Sequence, residues 1–156
     1  MKPFWFLVLV LALLFASIPA CAQPTRVGTF DQTSIVVAYY RSSLWSDTLN
    51  AKKAEFAEAQ KAGDTAKANA LQAWGEQSQE LAHQQLDGKA PITNILDALQ
   101  PAFAEVEKSA HVSSVMPYTT ATNKTDSVDV TGLLLDWLKA DETTRQLINQ
   151  LPRKSN

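Results

Sequence analysis

A chain of 156 residues with 14 Lys and Arg against 16 Asp and Glu carries a formal charge of -2. That balance supplies neither the basic surplus of a nucleic-acid binder nor the acidic block of a charge-driven tether. One cysteine, Cys21, excludes an internal disulfide framework, so the fold must stand on its core, and the length suits a single domain of modest size.

The chain opens with Lys2 and the apolar run "PFWFLVLVLALLFASIPA", which ends in small residues. A short positive region, an apolar stretch and a small-residue site are the marks of a secretory signal peptide. Ala20-Cys21-Ala22 forms the site, with cleavage after Ala22, giving a signal of residues 1–22 and a single domain of residues 23–156. The same residues read alternatively as a lipoprotein box, "IPAC", with Cys21 acylated. A retained anchor is a third option, although the run lies near the short limit for spanning a bilayer. Either of the first two readings places the protein in the periplasm or outside the cell, with no membrane span in the mature chain.

"RVGTF" then makes a short strand over Val27–Phe30, closed by Asp31. The next stretch, "IVVAYY", has strand composition, because β-branched and aromatic residues suit a pleated surface. Its context argues otherwise. Asp31, Thr33 and Ser34 are helix-capping types, and Ile35/Tyr39 and Val36/Tyr40 are spaced by four. A short helix over about 33–41 follows from these residues.

From Ser46 the sequence becomes rich in Ala, Glu, Lys and Gln, all strong helix formers, and lacks proline until Pro91. Gly63-Asp64 interrupts it, with glycine suited to the left-handed position after one helix and aspartate to the cap of the next. Two antiparallel helices result, a hairpin over about 43–86 with its tip near Gly63. Pro91 suits a helix start, and Ile92, Ile95, Leu96, Leu99, Phe103 and Val106 recur at helical spacing. Pro101 inside that pattern is expected to kink or break the helix. "HVSSVMPYTTAT" reads as a second strand and "TNKTDS" as a loop. Asp129 then caps an apolar helix containing Leu133, Leu134, Trp137 and Leu138, and a last helix covers about 141–150. The fold class is α+β, mostly helical, with a small two-strand sheet element and a projecting helical hairpin.

Two segments carry a family likeness. "RVGTFDQTSI" resembles the opening strand of the OmpH/Skp-like periplasmic chaperones, where a hydrophobic run leads through aspartate straight into a helix. "VDVTGLLLDWL" is similar to their closing motif, Asp-(Ile/Val)-Thr followed by an apolar helix. The resemblance implies a small sheet from which a coiled-coil-like hairpin projects. It also implies homotrimers joined through the sheet, and protein partners, namely unfolded envelope proteins held between the hairpins as a holdase chaperone holds them. The family's chaperones are typically basic, which attracts clients electrostatically; this chain is slightly acidic.

Catalytic signatures are sparse, and the reading is of a non-enzymatic protein with no cofactor. No Gly-x-Ser-x-Gly and no glycine-rich phosphate loop occur in the sequence. Glu80-x-x-His83 puts a carboxylate and an imidazole on one helix face, as in half of a di-iron bundle, but the second Glu-x-x-His that such a site needs is missing. A small helical ligand- or metal-binding protein using Glu80 and His83 is the alternative function. Asp126 and Asp129 lack the glycine and alternation of a calcium loop, and Asn123-Lys-Thr125 fits a glycosylation sequon. Tyr39, Tyr40, Arg41, Trp45 and Trp74 form a candidate interaction surface. The competing reading of these aromatic residues is packing at the base of the hairpin.

Overall fold

The computed structural model describes residues 26–119 and 126–151. The signal segment 1–22 with its cleavage at Ala22, the lipidation alternative at Cys21, and the Asn123 sequon lie outside the described residues. The described chain runs β1 (Val27–Phe30), α1 (Gln32–Arg41), α2 (Ser43–Ala62), α3 (Thr65–Leu86), α4 (Thr93–Ala110), β2 (Ser114–Pro117), β3 (Ser127–Asp129), α5 (Thr131–Trp137) and α6 (Glu142–Gln150). It is mostly helical with one small sheet.

The sheet has three described strands rather than two, in the order β2-β1-β3, and both pairings are parallel. The extra strand, β3, is only "SVD", too short and too polar to announce itself by alternation. It exists because β1 offers a second edge: Val27 N–H donates to the Asp126 carbonyl and Val130 N–H to the Thr29 carbonyl. The register aligns Gly28 with Val115 and Val128, and Phe30 with Pro117. Paired residues of neighbouring strands point to the same face. One face therefore carries Gly28, Phe30, Val115 and Val128, and it packs into the core, where Phe30 is fully buried. The other face carries Val27, Thr29, Ser114, Met116, Ser127 and Asp129.

The "IVVAYY" stretch is helical. Asp31 is the N-cap of α1, its carboxylate accepting from the Ser34 amide at 2.7 Å and from the Ser34 hydroxyl. Six of the ten residues of α1 are buried, including Ile35, Val36 and Tyr39, so its apolar content serves a helix wrapped by the core rather than a strand. Local capping and tertiary burial together outweigh β propensity here.

Pro101 neither ends nor interrupts α4, which continues from Thr93 to Ala110. Proline removes one backbone donor, and both Pro101 and Asp97, whose carbonyl loses that partner, lie on the exposed side of the helix. Water can take the vacated acceptor there. The opposite side buries Ile95, Leu99, Ala102 and Val106, four residues that hold the helix on the core. The core itself joins α1, α4, α5 and one sheet face, with Leu134, Leu135 and Leu138 entering from α5 and its end, and Ile148 from α6.

Helices α2 and α3 meet at Gly63, which adopts φ 70° and ψ 15° and whose N–H donates back to the end of α2. Asp64 caps α3 by accepting from the Lys67 amide at 3.0 Å. The two helices contact each other, yet across 20 and 22 residues they bury only Ala59 and Gln85.

Candidate functional site

The residues with the most distinctive arrangement lie where α1 hands the chain to α2 and where α3 comes back past it. Tyr39 and Tyr40 lie in the last turn of α1. Ser42 stops it by taking an extended conformation, and its hydroxyl donates to the Tyr39 carbonyl at 2.7 Å. Trp45 follows in the first turn of α2, and Trp74 sits in α3. The tyrosine rings meet nearly edge to face, with centroids 5.2 Å apart, and Tyr40 meets Trp45 in the same way at 5.0 Å. Trp45 and Trp74 stack at 5.9 Å with an interplanar angle of 27°. Such offsets are the favoured geometries of quadrupolar rings, and the contacts contribute beyond their buried area.

The structure thus brings Tyr39, Tyr40, Trp45 and Trp74 together as a continuous aromatic row running from α1 across α2 to α3. Tyr39 is buried, and Tyr40, Trp45 and Trp74 are half-buried. Burial raises the Tyr39 phenol above its ordinary value, with a further push from Tyr40; burial likewise raises Tyr40, partly offset by the neighbouring Asn94 side chain. Arg41 does not join the row. Its Nε donates to the hydroxyl of buried Thr144 at 2.9 Å, which ties α1 to the start of α6. Asp141 caps that helix through the Thr144 amide, and the Thr144 side chain together with this amide bond holds its carboxyl below the ordinary range.

Sequence reasoning missed Gln85. It is 1% exposed, yet it is a glutamine in the last turn of an otherwise solvent-facing helix. Its Oε1 accepts from the Tyr40 hydroxyl at 2.9 Å, and its Nε2 donates to the Pro91 carbonyl at 2.7 Å and to Asn94 Oδ1 at 2.6 Å. Glutamines fill this stretch at positions 72, 77, 79, 84 and 85, and no local signal separates the buried one from the rest.

The histidine-containing candidates stay apart. Glu80 accepts from the Gln84 side chain at 2.8 Å, and His83 is exposed. His111 is exposed at the end of α4, where it takes the left-handed conformation with φ 53°. Among the described residues no group of three or more His, Cys, Asp or Glu side chains converges as a metal centre needs. Asp129 accepts from the Thr131 amide at 2.9 Å, and Asp126 pairs with Arg26 at 3.3 Å, so both aspartates are engaged in local structure. An open groove of about 230 Å³ between α4 and α5 is lined by Glu105, Val106, Ser109, Leu133, Asp136 and Trp137. The Asp136 carboxylate there is held by the Arg145 guanidinium. No described helix is long and apolar enough to cross a membrane. No family model, no curated protein and no solved structure matches this chain.

Proposed function

We propose that this protein is a non-enzymatic extracytoplasmic protein of the OmpH/Skp type that works by protein–protein contact. In this reading α2 and α3 form a projecting arm, and the sheet is the platform through which copies associate, as a trimer. The observation that carries it is the near absence of burial along the arm: two helices of 20 and 22 residues bury only Ala59 and Gln85. Isolated helices gain little stability in water, and most helical stability comes from packing one face against something else. A pair that packs so little against its own domain has surface to offer to a partner. The order of elements supports the same reading. The chain passes from a strand through a short helix and the long pair to a helix, then to β2 and β3, the latter ending at Asp129, to the apolar helix α5 that starts at Thr131, and to a short last helix, α6.

Sedimentation of the processed chain tests the association, with a trimer expected and a strict monomer at high concentration counting against it. The holdase activity is a further step within the same proposal. It predicts that stoichiometric amounts suppress aggregation of an unfolded outer-membrane protein, and unchanged aggregation would remove that step while leaving the contact role to be judged by sedimentation.

A further inference from the structure

The arm meets the body through an aromatic row and one buried amide, and the two differ in what they can specify. Ring contacts tolerate a range of offsets and tilts. Apolar burial has no direction at all. The Trp45–Trp74 stack moreover joins α2 to α3, so it holds the arm to itself rather than to the body. Hydrogen bonds weaken steeply when bent. Gln85 makes three of them to three different places: Tyr40 at the end of α1, the Pro91 carbonyl in the connection after α3, and Asn94 in the first turn of α4.

We propose that Gln85 is a positioning residue, a latch whose bonds to Tyr40, Pro91 and Asn94 select the direction in which the α2–α3 arm leaves the body. Any swing that carries α3 away from α4 parts the amide from Pro91 and Asn94. Any roll of the arm about its own axis parts it from Tyr40. Because Gln85 is enclosed, water does not readily replace the lost partners, and a buried polar group left unpaired is costly. Alternative arm directions are thereby penalised, whereas an apolar residue of the same size would tolerate several. The role is one of orientational specificity, which buried polar groups provide in some proteins at little gain in stability. It holds whether or not the protein associates or binds clients.

The test is a distance distribution by pulsed electron paramagnetic resonance. Spin labels are placed at Lys61→Cys, in the last turn of α2, and at Gln100→Cys, on the exposed side of α4, in the full chain carrying Cys21→Ser. Labelled protein is diluted with unlabelled protein so that distances within one chain dominate. With Gln85 present the distribution is expected to be single and narrow. Gln85→Leu, which keeps the volume and removes every bond, should at least double its width while the far-ultraviolet helix signal is retained. Tyr40→Phe and Asn94→Ala each remove one bond and should widen it by an intermediate amount. A folded Gln85→Leu protein with the original width overturns the proposal. Should that variant fail to fold, Asn94→Ala decides, since Asn94 is exposed and its loss spares the core; an unchanged width then overturns the latch.

Discussion

Adding one methyl group to Gly28 should destabilise the protein, whereas adding the same group to Gly75 should stabilise it. Gly28 lies in the middle of β1, the central strand, on the face that meets the core. A Cβ placed there would stand 3.2 Å from Val112 Cγ2, 3.2 Å from Val130 Cγ1 and 3.3 Å from the Ser114 carbonyl oxygen. Both valines are buried, Val112 in the connection just before β2 and Val130 just after β3. The carbonyl belongs to β2 and cannot rotate away without disturbing the ladder. Overpacking of this kind costs about 1–3 kcal/mol. Replacing glycine also restricts the unfolded chain, which returns about 0.4–1 kcal/mol. With the middle of each range, the net for Gly28→Ala is a loss of about 1.3 kcal/mol, or roughly 5 °C in Tm for a domain of this size. Gly75 is mid-helix in α3, and a Cβ there meets nothing within 4 Å. Only the helix-propensity gain acts, about 1 kcal/mol in favour of alanine. Urea unfolding followed by tryptophan fluorescence and by far-ultraviolet circular dichroism measures both variants against the parent. A Gly28→Ala protein as stable as the parent would refute the close approach of Val112 and Val130 across β1.

Removing the cap of α1 by Asp31→Ala should lower stability by about 1 kcal/mol, because the Ser34 amide loses its acceptor. Asp31→Asn keeps an acceptor and should recover most of the loss in the same urea titration; equal losses in the two variants would show that the cap bond is not the cause. At alkaline pH the aromatic row becomes a liability. Burial raises the phenols of Tyr39 and Tyr40 in the folded state. The unfolded chain therefore releases these protons first as pH climbs past about 10, and stability falls as pH rises from there through the folded values. Below that range both states keep their phenols protonated and no such dependence arises. Denaturant midpoints at pH 9 and pH 11 should differ more for the parent than for a Tyr39→Phe/Tyr40→Phe variant, and an identical drop in both would remove the phenols as the cause.

Much of the helical framework is written locally. Asp31, Gly63-Asp64 and Asp141 each carry a capping preference that acts within a few residues, and the structure uses each of them at a helix end. The spacing Ile92, Ile95, Leu99, Val106 likewise needs nothing distant to mark the buried side of α4. The aromatic residues were legible as a group, since Tyr39, Tyr40 and Trp45 lie within one helix and the next turn. Trp74 joins them only because α3 returns past α2.

What the tertiary structure alone decided depends on contacts between residues far apart in the chain. β3 is a strand because β1 has a second open edge, not because "SVD" favours one. Pro101 sits inside a continuous helix because the opposite side of α4 is anchored in the core while its own side faces water. Gln85 is enclosed because Tyr40, Pro91 and Asn94 converge on that turn of α3, from 45 residues before it to 9 after. Propensity, capping and periodicity are properties of neighbours along the chain. Burial of one particular glutamine among several is a property of what the fold places around it.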